Sequence, residues 1–186
     1  MENEGLVLPS SGTADEILAQ FLESAQKDAD SVRMKEADGE TVVLHHLVTF
    51  HLAKEEYGVE IASVQEIIRA SDITPVPGAP AHVRGVINLR GKIIPVVDLR
   101  KRFGLPIIET CETQRIIVVE LGVKRLGMLV DSVSQVIRIS SAIIDSMPEE
   151  ATTVNGNYIQ GVGKLDSRLI IILDLGQSLL AGEGRL

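Results

Sequence analysis

Residues 82–103 read HVRGVINLRGKIIPVVDLRKRF, and residues 158–179 read YIQGVGKLDSRLIIILDLGQSL. Aligned at an offset of 161 − 85 = 76, the two stretches share Gly85/Gly161, Val86/Val162, Leu89/Leu165, Ile94/Ile170, Asp98/Asp174 and Leu99/Leu175. Separated identities in fixed register mark a duplicated structural unit. Only the first copy carries the basic turn Asn88-Leu89-Arg90-Gly91; the second has Lys164-Leu165-Asp166-Ser167. The halves share a scaffold and differ in task.

The duplication reaches upstream. At an offset of 127 − 58 = 69, YGVEIASVQEIIRAS (57–71) aligns with LGMLVDSVSQVIRIS (126–140), matching Gly58/Gly127, Val64/Val133, Ile68/Ile137 and Arg69/Arg138. The change of offset places the extra residues of the second copy between Ser140 and Tyr158. There, SAIIDSMPEEATTVNGN reads as a short capped helix and a loop. Two homologous five-stranded lobes follow, about 43–108 and 113–180. Strand edges seek partners, so the lobes are expected to exchange terminal strands.

The pattern between the repeats is one of short aliphatic runs separated by turn residues. Strands are expected at 44–52, 57–61, 73–76, 86–89, 92–98, 115–121, 125–130, 135–139, 161–165 and 168–174. With 45% hydrophobic residues but 3% aromatic and no Trp, the core must be aliphatic, and Val, Ile and Leu suit strands. So many short strands in so little chain point to small barrels. Pro95 removes one ladder donor and predicts a bulge or an edge position within 92–98.

Residues 1–41 differ in kind. MENEGLVLPSSG (1–12) has no periodicity and reads as a mobile tail. Thr13 with Glu16 fits a capping box, and Ile17, Leu18, Phe21, Leu22 and Ala25 form one apolar stripe, predicting a helix over 14–32. A polar linker, 34–40, follows. This N-terminal extension either docks back on the main domain (42–186) or serves as a partner-binding arm.

Charge excludes some functions. Eighteen Lys and Arg against 26 Asp and Glu give a net charge of −8 and a pI near 5.0, which argues against nucleic acid as a partner. A lone Cys111 forms no internal disulfide. No apolar run approaches the roughly 20 residues of a membrane span, so a cytoplasmic protein without membrane insertion is expected.

Catalytic motifs are missing: there is no Walker loop, no GxGxxG, no GxSxG, no HExxH and no paired CxxC. On a strand, His45 and His46 face opposite ways, and His45 and His51 lie about 20 Å apart, so they read as solvent-facing residues rather than a metal site. Asp98 and Asp174 recur after equivalent strands, and repetition with the fold fits backbone caps better than an active site. Arg100-Lys101-Arg102 reads as a solvated helix end. Glu66 and Arg90 each stand beside apolar surface, while their equivalents are Gln135 and Asp166. Dispensable for the fold, they are expected to form a polar pair at the edge of an apolar groove suited to a partner helix.

The runs EEYGVEIASVQEIIR, PGAPAHVRGVINLRGKIIPVVDLRKRFG and VVELGVKRLGMLVDSVSQVI, in that order, resemble the CheW family of chemotaxis coupling proteins over residues 44–180. The resemblance implies a mainly β fold of two intertwined five-stranded SH3-like barrels with short helices, and neither catalysis nor a cofactor. It implies an adaptor joining a CheA-type histidine kinase, through its CheW-like regulatory domain, to the cytoplasmic tips of methyl-accepting chemoreceptors in membrane-associated arrays. By matching motif, Val64, Glu66, Arg90, Leu126 and Gly127 would line the receptor groove. Arg84 and Gly85 would face the kinase. The N-terminal 40 residues depart from the simplest members, leaving swimming chemotaxis and a related twitching or gliding pathway both open. A small metal-binding or enzymatic barrel using the histidines or Asp98 is the alternative of a different class.

Overall fold

The computed structural model of the chain describes residues 6–7, 42–147 and 156–180. The helix expected over 14–32 and the linker after it lie outside the described residues. Within the expected N-terminal tail, Leu6–Val7 forms a strand, β1, on the edge of the domain, so that part is paired rather than free.

The fold is mainly β, with few helices and two sheets. Along the chain follow β2 (Leu44–Leu52), β3 (Glu55–Glu60), β4 (Val64–Arg69), β5 (Val83–Leu89), β6 (Lys92–Asp98) and a short helix α1 (Leu99–Arg102). The second half supplies β7 (Arg115–Leu121), β8 (Lys124–Val130), β9 (Ser132–Ser140), β10 (Ile144–Asp145), β11 (Ile159–Leu165) and β12 (Arg168–Leu173). One sheet has the order β1-β9-β2-β3-β12-β11-β10 and the other β4-β7-β8-β6-β5.

Each sheet takes its opening hairpin from the other repeat. The β2–β3 hairpin joins β9, β11 and β12, while β7–β8 joins β4, β5 and β6. The ranges 43–108 and 113–180 thus describe a repeat along the chain, whereas each sheet in space is built from both. The junctions obey the sequence offsets. β8 runs parallel to β6 with Gly127 opposite Val96, and β3 runs parallel to β12 with Gly58 opposite Ile172. These are the same pair, since 58 + 69 = 127 and 96 + 76 = 172.

The apolar residues sort by period two, as strands buried on both faces require. On β7, Ile116 and Val118 join Ile87, Ile94, Val96 and Leu129 on one face of their sheet. Ile117 and Val119 point the other way, into a central core with Phe50, Tyr57, Leu99, Phe103 and Met128. The counterpart cluster of the other sheet is Leu47, Ile137, Ile139, Leu165, Ile170 and Ile172. The central core thus welds the two sheets together, and the aromatics among the described residues gather there, with Tyr57 6.0 Å from Phe50 and 5.9 Å from Phe103 between ring centroids.

Three local expectations are corrected. Residues 64–69 are a strand that the run reading passed over, although its repeat partner in 132–140 was recognised. The segment 73–76 contributes only the isolated bridge between Thr74 and Val86. After Ser140 the expected capped helix is a single 3-10 turn, Ser141–Ile143, with the Ser140 hydroxyl accepting from the Ala142 N–H, followed by β10. Pro95 pairs with Val86 of β5 one residue before β6 gains its second neighbour at Val96, so the missing N–H interrupts no ladder on that side.

Both repeated aspartates are caps. Asp98 Oδ1 accepts from the Lys101 N–H at 3.2 Å, starting α1, and Asp174 Oδ1 accepts from the Gln177 N–H at 2.9 Å, starting the helical turn Gly176–Leu180. Asp98→Ala and Asp174→Ala should each lower stability by about 1 kcal/mol, read as a shift of the urea midpoint at unchanged slope. A fall in partner binding at unchanged midpoint would assign them a different role.

Candidate functional site

Arg90 occupies the tip of the β5–β6 hairpin with φ 50°, followed by Gly91 at φ 82°. A left-handed arginine is uncommon, because its Cβ crowds the carbonyl, at a cost of roughly 1–2 kcal/mol. From the tip its guanidinium reaches Glu66 on β4, Nη2 donating to Oε2 at 3.3 Å. The Glu66 side chain is 11% exposed and that of Arg90 74%. A pair with one member in solvent adds about 1 kcal/mol at most, so its geometry is not explained by stability.

The pair borders a hollow of about 290 Å³ lined also by Gln65, Leu89, Lys92, Ile94, Val118 and Arg125. A second, of about 450 Å³, shares Lys92, Ile94 and Arg125 and adds Ile93 and Val123, both exposed. The strip is apolar along its floor and charged at its rim. Its repeat counterpart is spanned by hydrogen bonds. There Gln135, Asp166, Arg168 and Glu56 stand at the positions of Glu66, Arg90, Lys92 and Arg125. Arg168 Nη1 donates to both Glu56 oxygens at 3.4 and 3.5 Å. With its amide oxygen turned inward, Gln135 accepts from the same guanidinium at 2.6 and 2.7 Å. In the second half one guanidinium, that of Arg168, gathers both partners, whereas in the first half Arg90 pairs with Glu66 and Arg125 with Glu120 around the hollow.

The remaining residues singled out in sequence are placed differently. Val64 and Leu126, both 4% exposed, belong to the central core. Gly127 lies where a Cβ would stand 2.7 Å from Ile116 Cγ2 of β7 and 3.3 Å from Val96 Cγ2 of β6, so its small size leaves room for those side chains on the neighbouring strands. Gly85 sits in a bulge of β5. Arg84 is exposed, its Nη2 3.5 Å from the Thr110 hydroxyl. Only Glu66 and Arg90 are brought together as a polar pair.

The histidines are half-buried rather than solvent-facing: His45 Nδ1 is bonded to Glu60 and His51 Nδ1 to the Ser134 hydroxyl. Nor is the basic run 100–102 a solvated helix end. Arg102 donates to the Ser178 carbonyl at 2.9 Å and lies over the Tyr158 ring, 5.2 Å from its centroid.

Arg100 makes a contact that sequence reasoning missed. Its Nε and Nη2 grip the two oxygens of Asp131 at 2.7 and 2.5 Å, and Asp131 Oδ2 also accepts from the Ala53 N–H at 2.8 Å. This fork ties α1, the β8–β9 junction and the β2–β3 turn together. Burial works against the Asp131 carboxylate, but the bonds from Arg100 and Ala53 outweigh it and hold its pKa below the usual range. The same bond raises that of Arg100. The only signal in sequence was an aspartate in an otherwise apolar run, LVDSV. The repeat was silent, because the equivalents are Ala62 and Gly176.

Two sheets with an aliphatic core, no cluster of metal-ligating residues among the described residues and an open, charge-rimmed apolar strip define a protein-binding scaffold. The profile of the CheW-like domain matches residues 46–182, and the chain belongs to that family. It is 38% identical over 145 residues to the chemotaxis protein CheW of Klebsiella aerogenes, covering 78% of this chain and 86% of that one. It is 36% identical to the CheW of Treponema pallidum over 69% of this chain and 78% of the relative. The crystal structure of the scaffolding protein TtCheW from Thermoanaerobacter tengcongensis superposes with a TM-score of 0.68 at 38% identity, over 77% of this chain and 93% of that one. Members of this family are chemotaxis scaffolds and not enzymes. No helix among the described residues is long and apolar enough to cross a membrane.

Proposed function

We propose that this chain is the coupling protein of a chemosensory array, linking a CheA-type histidine kinase to methyl-accepting chemoreceptors in the cytoplasm. In this reading each sheet is a small SH3-like barrel. The observation that carries it is the asymmetry of the duplication: at the same left-handed turn the first half places Arg90 against Glu66 beside a charge-rimmed hollow, where the second half has Asp166 and spans the place with Arg168, Glu56 and Gln135. A receptor's helical tip, apolar with charged flanks, suits such a strip. Arg90 and Glu66 are its polar contacts. Val64, Leu126 and Gly127 act from beneath by fixing the strands that carry them, and Arg84 and Gly85 belong to the kinase-facing surface.

The test is co-sedimentation of the full chain with a CheA-type kinase and a receptor cytoplasmic fragment. Arg90→Asp should weaken receptor association about tenfold or more while the thermal midpoint stays within about 2 °C, because the pair contributes little to stability. Glu66→Lys should act in the same direction. Wild-type protein that sediments with neither partner would refute the coupling reading. A variant that melts far below wild type would make the pair structural.

A further inference from the structure

A third hollow, of about 530 Å³, lies apart from the strip and has a different chemistry. Its floor is apolar, with Ile73 and Leu129, and its wall carries Arg84, Lys101, Thr110 and Gln114. No acidic side chain lines it, in a protein of net charge −8. The repeat shows that the cations are not required by the fold: Arg84 and Lys101 correspond to Gln160 and Gln177, by 84 + 76 = 160 and 101 + 76 = 177.

Gln114 adds an amide that is open to a ligand. It is 6% exposed, yet among the described residues its side-chain amide makes no hydrogen bond, and only its backbone is engaged, with Ala70, Cys111 and Arg115. A buried amide without a partner is costly unless something satisfies it. Among the described residues no enclosed side-chain polar atom lacks a partner, so the amide has solvent access, and the hollow it lines provides that access.

We propose that this hollow binds a carboxylate side chain of a partner protein, presented with an aliphatic neighbour. The carboxylate accepts charge-assisted hydrogen bonds from Lys101 and Arg84 and a third from the Gln114 amide, and the aliphatic group rests on Ile73 and Leu129. The volume and the apolar floor are more than a small inorganic anion would fill. The inference deepens the kinase-facing reading of Arg84 and rests on it for the kind of partner, while the dipeptide titration below tests the chemistry of the hollow separately from kinase co-sedimentation.

The experiment uses the full chain labelled with ¹⁵N and titrated with acetyl-Leu-Glu-amide, with acetyl-Leu-Gln-amide and inorganic phosphate as controls. The expected result is a saturable shift of the Gln114 side-chain amide and the Arg84 Nε–H resonances with the acidic dipeptide alone. Lys101→Glu should weaken that binding about tenfold or more. Gln114→Leu should weaken it too without lowering the unfolding midpoint, since the amide has no partner in the chain to lose. Equal response to the glutamine dipeptide would make the hollow merely apolar and overturn the proposal. A response to phosphate in place of the dipeptide would make it a small-anion site. Undiminished binding by Lys101→Glu, or no shift with any probe, would also refute it.

Discussion

Gly85→Ala should destabilise the protein by about 3–5 kcal/mol, more than alanine at any other glycine among the described residues. A Cβ at this position would stand 2.2 Å from the Thr74 carbonyl oxygen and 2.7 Å from its carbon, and the backbone φ of +153° disfavours a side chain in any case. The carbonyl cannot retreat, because Thr74 and Val86 exchange both backbone hydrogen bonds at 2.9 Å in the bridge that holds 73–76 against β5. Overpacking against backbone and an unfavourable φ each cost roughly 1–3 kcal/mol. Gly161 is the control. The same repeat position meets chiefly Ile144 Cγ2 at 2.8 Å, a side chain that can turn aside, and its φ is ordinary. Gly161→Ala should therefore cost only about 1–2 kcal/mol. Urea unfolding of the two variants checks the ordering, and equal midpoints would refute the account. One consequence bears on function: any loss of kinase binding by a Gly85 variant reports a broken bulge before it reports a lost contact.

Asp131→Ala should cost about 3 kcal/mol. The side chains of Asp131 and Arg100 are only 15% and 11% exposed, and removing one member of a mostly buried, bidentate pair leaves the other charge without its partner. It also orphans the Ala53 N–H in a turn where Ala53 itself has φ 56°. The pH dependence has a definite sign. The folded pKa of Asp131 is depressed, so the contribution is complete above the unfolded carboxylate value, about 3.9. It fades as the pH falls through the lower folded value. The stability gap between wild type and Asp131→Ala should thus be full at pH 7 and shrink below about pH 4. A gap that persists undiminished at pH 2 would mean that the substitution acts through packing rather than charge.

Glu66 and Arg90 show how far a duplicated sequence can carry a functional reading. Without the second copy, two charges in apolar surroundings would be unremarkable. Against Gln135 and Asp166 they stand out, because a fold that succeeds with those residues does not need the charges. The same comparison also read Asp98 and Asp174 as caps, since both copies kept them. It failed at Arg100, whose partner Asp131 is unique to one half and lies across a boundary that the repeat does not mark. The family resemblance, not the repeat, put Val64 and Leu126 in the receptor groove, and alternation on β4 and β8 turns those side chains into the central core.

The sequence by itself determined most of the strands, the duplication, the caps, the polar pair and the family resemblance. Each rests on local chemistry: alternation of apolar residues, turn residues at fixed offsets, a carboxylate before a turn of helix. Tertiary structure alone decided which hairpin joins which sheet, that Arg100 and Arg102 bond inward to Asp131 and the Ser178 carbonyl, and that Gly85 is held by Thr74. Hairpin exchange brings together residues far apart in the chain, such as Gly58 with Ile172 and Arg100 with Asp131. Such pairings leave no periodic trace, because what fixes them is the burial of a shared core and not the preference of any one segment.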